Sequence, residues 1–351
     1  MCFNRRTYGT PWGLNPSGFS CGAPVASHFQ QMTSSSLLIV AGLVALYFGA
    51  EWLVKGATSL ALRLGMSPLI AGLTVVAFGT SSPELVVSLT AVLQGQGDIA
   101  LGNVVGSNIF NVAVILGLTA VFVPLKVQFQ LIKVDTPFMV AITFLFLWCF
   151  RDRIVSREEA AVFLVLLVVY LAFSVWYAKR EAPRQVKQEY TAEMKDVEAR
   201  AQMGFGLITF FIVVGLAGLI FGSKTFVSGA VTIARSFQVE EAVIGLTIVA
   251  AGTSLPELAS SIVAALRRQA DVAVGNVIGS NVFNILAILG VSGTIAGPIQ
   301  GAGIGQLDLY YMAGVSLALI PIIWTGFTIR RWEGIFLLAT YGVYLTVIWP
   351  K

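Results

Sequence analysis

Residues 72–117 read GLTVVAFGTSSPELVVSLTAVLQGQGDIALGNVVGSNIFNVAVILG, and residues 245–290 read GLTIVAAGTSLPELASSIVAALRRQADVAVGNVIGSNVFNILAILG. The two stretches align without a gap at a constant offset of 173, with 28 identities in 46 positions. Shared apolar composition would scatter Leu and Val matches. It would not pair Pro83 with Pro256, Glu84 with Glu257, Asp98 with Asp271 and Asn111 with Asn284. The same offset continues upstream, pairing Gly49 with Gly222 and Gly56 with Gly229. The chain is an internal duplication.

Outside the repeats, composition sets the class. Of 351 residues, 56% are hydrophobic and 11% charged, and the mean hydropathy is +0.83. A soluble domain carries about 25% charged residues. Apolar runs long enough to cross a bilayer, which takes about 20 residues, recur along the whole chain, so the sequence reads as a polytopic membrane protein. The net charge of +4 is small and spread through loops, which points to topology and not to a nucleic-acid partner. Cys2, Cys21 and Cys149 form no CxxC pair, so neither a disulfide framework nor a zinc site is expected. The single histidine, His28, lies in the polar N-terminal stretch and offers no membrane-embedded proton relay.

Ten spans are expected near 36–61, 68–93, 99–122, 132–150, 158–178, 205–234, 241–266, 272–296, 308–327 and 333–349. The expected fold is an all-α membrane protein: ten transmembrane helices in two inverted five-helix repeats, with helices 2 and 7 broken. The divisions are an N-terminal tail (1–35), the first repeat (36–178), a charged cytoplasmic linker (179–203) and the second repeat (204–351). Residues 1–31 lack the apolar core of a signal peptide; they read as a disordered tail, or Met32 is the natural start. Inversion follows from parity, because five spans per half make the second half enter from the opposite side, as in many secondary transporters. Thirteen Lys and Arg fall on the linker side against seven on the other. The linker is therefore expected inside and both termini outside.

Pro83–Glu84 and Pro256–Glu257 fall in mid-span. A proline there removes a backbone donor and frees a carbonyl four residues back, that of Gly79 or Gly252. Irregular backbone at membrane depth is tolerated where it is buried in protein or lines a cavity, and matched breaks in two repeats point to a transporter's binding site. A mid-span carboxylate costs about 2.5–3.5 kcal/mol on insertion scales, and no basic residue lies within a turn of either glutamate. If the repeats face each other, two carboxylates meet and repel unless a cation lies between them. Calcium, which accepts 6–8 oxygens in flexible geometry, suits such a site better than magnesium. The motifs GNVVGSNIFN (102–111) and GNVIGSNVFN (275–284) add polar groups within an apolar helix. Ser107 with Asn111, and Ser280 with Asn284, are four apart and share a face.

GTSSPE and GTSLPE, each followed by GNVxGSNxFN, resemble the two alpha-repeats of the cation/calcium antiporter superfamily, with the nearest likeness to bacterial sodium/calcium exchangers. That resemblance covers the ten-span body. It implies a carrier that exchanges Na+ for Ca2+ by alternating access, with no enzyme activity, no cofactor, and no partner beyond the two ions and the lipid bilayer. Carried over by position, Glu84, Glu257 and the backbone oxygens of Thr80 and Thr253 would ligate calcium. Sodium would use the same glutamates with Ser81, Ser254, Ser107, Ser280, Asn111, Ala77 and Ala250, and Asn284 would line the centre. Some relatives, including potassium-dependent exchangers, carry Asp where this chain has Asn284, so K+-independent exchange is expected.

Other readings stay in view. Calcium/proton exchange on the same scaffold is the runner-up. A channel fits broken helices and repeats less well, and an intramembrane metalloprotease lacks its HExxH motif. The hydroxyls of Thr80, Thr253, Ser81 and Ser254 could instead bond carbonyls one turn back, and Ser107, Ser280, Asn111 and Asn284 could bridge helices. Asn103, Asn276, Asn108 and Asn281 are expected in structural hydrogen bonds. Asp98 and Asp271 read as helix-start acids, and Glu51 and Lys55 as an i,i+4 pair. Trp148, Trp176, Trp324, Trp332 and Trp349 read as interfacial anchors.

Overall fold

The computed structural model describes residues 25–189, 202–237 and 250–348. Twelve helical segments are found among them: α1 (Val25–Arg63), α2 (Pro68–Thr80), α3 (Ser82–Leu93), α4 (Gly97–Phe122), α5 (Leu131–Asp152), α6 (Arg157–Glu189), α7 (Phe205–Ser236), α8 (Ala250–Thr253), α9 (Leu255–Leu266), α10 (Ala270–Ala296), α11 (Gln306–Trp324) and α12 (Arg331–Ile348). Helix lies within each of the ten predicted stretches. Among the described residues, seven helices are long and apolar enough to cross a membrane, or eight when α2 and α3, bent by 44° at their junction, count as one.

Two boundaries differ from expectation. α1 starts at Val25, inside the stretch assigned to the tail: Pro24 precedes it, and no glycine or proline interrupts the chain before Gly42. α6 continues to Glu189, into the charged linker, because Lys, Arg, Glu, Gln and Ala are strong helix formers. Residues 1–24, 190–201, 238–249 and 349–351, with the rest of the linker, the start of span 7 and Trp349, lie outside the described residues.

Small residues set the closest helix contact. In α1, Gly42, Gly49 and Gly56 stand seven apart, as do Gly215, Gly222 and Gly229 in α7, and the two triplets correspond at the 173 offset. A Cβ on Gly49 would lie 2.7 Å from the Leu219 nitrogen, and one on Gly215 would lie 2.5 Å from the Leu53 nitrogen. Gly229 meets Ser35 and Gly56 meets Ile212, so the helices run antiparallel with backbones nearly touching.

α4 and α10 occupy the centre. The most apolar window of α10 is entirely buried and that of α4 is 72% buried, against 22% for α6 and α7. The two central helices thus carry the GNVxGSNxFN motifs away from lipid. The outer faces present residues such as Leu37, Val40, Val165, Val168, Phe210, Val213 and Val343 to the surroundings, as a lipid-facing surface requires. Trp148, Trp324 and Trp332 are exposed near helix ends, and Trp176 is exposed where the apolar part of α6 ends.

The all-α expectation needs one amendment, two short antiparallel strand pairs in the loops. β1 (Leu125–Lys126) pairs with β4 (Thr328–Ile329), and β2 (Ile154–Val155) pairs with β3 (Ile299–Gln300). β1 and β3 correspond across the halves, as do β2 and β4, each 174 residues apart. Each ribbon therefore joins a loop of one half to the non-equivalent loop of the other. Helix-start acids reinforce both ribbons. Gly303 N–H donates to Asp98 at 2.8 Å and Gln128 donates to Asp271 at 2.6 Å.

Candidate functional site

The break in the first half falls at Ser81. α2 widens out of α-helical register into a π turn over Ala71–Val76, closes at Thr80, and α3 restarts with Pro83 in its first turn, where a missing N–H costs nothing. α9 restarts in the same way, with Pro256 in its first turn after Ser254. The restart places Glu84 and Glu257 at the N-terminal ends of α3 and α9, where the helix dipole favours a negative charge. Both carboxylates are 1% exposed.

Each glutamate is held by the opposite half. Ser81 Oγ donates to Glu257 Oε1 at 3.0 Å, and Ser254 Oγ donates to Glu84 Oε1 at 3.3 Å. This reciprocal exchange between the halves excludes the local reading for both serines. In that stretch it is Ser82 that donates to the carbonyl one turn back, that of Phe78. Thr80 Oγ1 lies 3.4 Å from both the Ala77 carbonyl and Asn276 Oδ1.

The central helices complete the cluster. Ser107 Oγ lies 3.5 Å from Ser254 Oγ, and Asn111 Nδ2 donates to Asn281 Oδ1 at 3.0 Å. Asn111 and Asn284 each open a π turn, Asn111–Leu116 in α4 and Asn284–Leu289 in α10, a local widening that recurs at functional sites. Ala77 is fully buried beside Phe283 and Ala287. Ala250 and Thr253 bound the four-residue α8 immediately before the second break.

Five buried oxygens in this cluster have no hydrogen-bond partner: Glu84 Oε2, Glu257 Oε2, Asn111 Oδ1, Asn284 Oδ1 and Ser280 Oγ. An unsatisfied buried acceptor costs about 1–3 kcal/mol, and native proteins hold few of them. Two carboxylates, two amide oxygens and a hydroxyl form a hard-oxygen donor set, the chemistry that suits calcium or sodium and not soft metals. No group of three or more His, Cys, Asp or Glu that could hold a metal is found among the described residues. The site has two acids.

A cavity of about 500 Å3 reaches this cluster from one side. Its lining runs from the buried Ser254 and Ser107, with Asn103, to the half-buried Ile304 and Asp308 and the exposed Gly305.

Asn103 and Asn276 make the structural hydrogen bonds expected of them, while their partners and several other contacts could not be read from the sequence. Asn103 Nδ2 donates to the Glu84 carbonyl and to Ser88, and Asn276 Nδ2 to the Glu257 carbonyl, Ser260 and Ser261. These amides brace each break against its neighbouring central helix. The Gly252 carbonyl, expected to be freed by Pro256, accepts from Ser223 of α7. Glu51 pairs with Arg267 and not with Lys55, whose ammonium lies 4.5 Å from the Phe211 ring. Asp135 and Asp308 sit in corresponding spans at the 173 offset, a signal that only an extension of the alignment would have caught.

Known proteins place the chain. A family described as sodium/calcium exchanger protein matches residues 34–176 and 207–349, two segments again displaced by 173. The chain is 34% identical over 351 aligned residues to a sodium/calcium exchanger, MaX1, of Methanosarcina acetivorans, covering 90% of this chain and 99% of that protein. It is 35% identical to the inner membrane protein YrbG of Escherichia coli, over 84% of this chain and 90% of that one. A solved structure of the sodium-calcium exchanger NCX_Mj superposes with a TM-score of 0.75 at 29% identity, covering 91% of this chain and 99% of that chain. The chain is an integral membrane protein of the sodium/calcium exchanger family.

Proposed function

We propose that this protein exchanges Na+ for Ca2+ across the membrane by alternating access, independently of K+. The observation that carries the reading is the reciprocal pair Ser81–Glu257 and Ser254–Glu84, which binds both halves around one cluster of unpartnered oxygens. A cation entering there is shared between the halves, so its ligands shift together when the halves rearrange. Calcium takes Glu84, Glu257 and the backbone oxygens of Thr80 and Thr253. Sodium draws on the same glutamates with Ser81, Ser254, Ser107, Ser280, Asn111, Ala77 and Ala250, while Asn284 lines the centre. Because the ions share ligands, the site holds one kind or the other, which couples the fluxes. The two-carboxylate count, with Asn at 111 and 284, supports K+ independence.

The proposed frame is ten spans in two inverted five-helix repeats. The strand ribbons support inversion, since equivalent loops of the two halves lie in different ribbons. With the linker cytoplasmic, both termini lie outside in a bacterial inner membrane, and the cavity mouth at Gly305 and Asp308 opens outward.

The test is sodium-gradient-driven calcium-45 uptake by proteoliposomes, with Glu84→Gln and Glu257→Gln. Wild type accumulates calcium without potassium, and each variant loses uptake by about a hundredfold or more, as expected when a buried charged ligand is removed. Full activity in both variants overturns the site. Equal uptake with sodium omitted and a proton gradient imposed transfers the assignment to calcium/proton exchange.

A further inference from the structure

Two aspartates remain that the proposed exchange does not use. Asp135 in α5 and Asp308 in α11 correspond at the 173 offset. Each accepts a hydrogen bond from a tyrosine on the next helix of its own half. Tyr170 OH donates to Asp135 Oδ1 at 3.0 Å, and Tyr344 OH donates to Asp308 Oδ1 at 2.7 Å. Tyr170 and Tyr344 correspond in turn, 174 residues apart, with the same one-residue shift as the strands. The pair has been duplicated as a unit.

The two copies have different surroundings. Asp308 is half-buried on the wall of the cavity that ends at Ser254 and Ser107, and it is the only charged side chain among the described residues lining that cavity. Asp135 is 0% exposed, and its Oδ2 has no hydrogen-bond partner. A helix-capping role accounts for part of Asp308, whose Oδ2 accepts from Gly305 N–H at 3.2 Å. It does not account for Asp135, which ends the π turn Leu131–Asp135 inside α5. What the halves share is the Asp–Tyr pair, and an intramembrane carboxylate without a basic partner marks an ion route.

We propose that Asp308 is a cation-receiving carboxylate at the mouth of the cavity leading to Glu84 and Glu257, and that Asp135 is its counterpart for the opposite face. The inference rests on the antiport reading. A single acid in a low-dielectric mouth concentrates cations from solution, and the tyrosine hydroxyl, with Gly305 N–H at Asp308, fixes the carboxylate while each oxygen keeps a further lone pair for an incoming ion. Alternating access about the pseudo-two-fold axis would exchange the two environments, burying Asp308 when Asp135 meets water.

The experiment is calcium-45 uptake in right-side-out and inside-out vesicles with Asp308→Asn and Asp135→Asn. Asn removes the charge and keeps one acceptor oxygen, enough for the tyrosine bond that the two copies share. Asp308→Asn should raise the half-saturating calcium about threefold to tenfold in one vesicle orientation only, an effect that shrinks as salt screens the charge. Asp135→Asn should do so in the other orientation only. Equal changes in both orientations, or none, overturn the proposal, and Asp308→Asn alone decides if the buried Asp135 variant fails to reach the membrane. A second arm reads binding without transport. Leu307→Cys, in a chain with Cys2, Cys21 and Cys149 changed to Ser, should react with an impermeant thiol reagent from one face. Calcium should slow that reaction, and adding Asp308→Asn should abolish the protection. Absence of calcium protection in the chain that retains Asp308 overturns the proposal. A wild type inert to calcium in both vesicle types counts instead against the exchange reading, and the labelling arm still reports on Asp308.

Discussion

Ser81 and Ser254 each hold a carboxylate of the opposite half, and a hydroxyl can donate to a glutamate while turning a lone pair toward a cation. Ser81→Ala should raise half-saturating calcium by about fivefold to thirtyfold, the equivalent of about 1–2 kcal/mol for one lost charge-assisted bond. Ser82→Ala, which removes a bond within its own helix, should leave the value within about twofold. Titrating calcium-dependent uptake in both variants separates the roles. Protons enter the same balance. A carboxylate that takes a proton no longer attracts a cation, so uptake at subsaturating calcium should fall as the medium is acidified, and raising calcium should restore it. Uptake that rises steadily toward low pH would contradict competition at Glu84 and Glu257. Asn103 and Asn276, by contrast, hold their glutamates through the backbone carbonyl. Their loss belongs to the stability of each break more than to ion chemistry.

At the scale of elements, breaks and glycine faces solve different problems. A continuous helix would occupy its own carbonyls and leave no polar backbone for an ion. The 44° bend between α2 and α3, and the π turns opened by Asn111 and Asn284, open the backbone where the site forms. The α1–α7 contact is the opposite case, two unbroken helices brought together because side chains are missing. Gly215→Ala should destabilise the protein by about 1–3 kcal/mol, since its Cβ would press on the Leu53 backbone, which cannot swing aside as a side chain can. Gly342→Ala is the control. Nothing lies within 4 Å of its Cβ, and an exposed helical glycine gains about 0.5–1 kcal/mol on the change. Thermal unfolding in detergent, followed by tryptophan fluorescence, should move the two variants in opposite directions.

For the whole molecule, the proposed inversion of the halves would set where every loop goes. If the repeats are inverted, the β1–β4 ribbon and the β2–β3 ribbon lie on opposite faces of the membrane, with Asp271 tying the first and Asp98 the second. Lys126→Cys and Gln300→Cys, both at exposed strand positions, should then be labelled by an impermeant reagent from opposite sides of intact and inverted vesicles. Labelling of both from one side would refute the arrangement. The cavity gives the same architecture a direction, because it reaches Ser254 and Ser107 of the shared cluster from the side of the β2–β3 ribbon.

The duplication, the mid-span Pro-Glu breaks and the polar motifs of the central helices could all be read along the chain. They are local patterns: a proline where a donor is needed, a carboxylate where lipid forbids one, and identities at one fixed offset. Helix positions followed because apolar length is itself a local property, and the exceptions at Val25 and Glu189 lie where helix continues beyond the apolar run. Partnership could not be read this way. Nothing near Ser81 says that its hydroxyl reaches Glu257 and not a carbonyl one turn back, or that Ser223 takes the carbonyl Pro256 would have freed. The Glu51–Lys55 spacing suggested a pair that Arg267, 216 residues away, displaces. The unequal surroundings of Asp135 and Asp308 are likewise invisible in two stretches that align. The sequence by itself determined which residues are duplicated and where each helix must break. Which atoms meet follows from the packing, because a hydrogen bond depends on separation in space, and the reciprocal Ser81–Glu257 and Ser254–Glu84 bonds join each break to the other half.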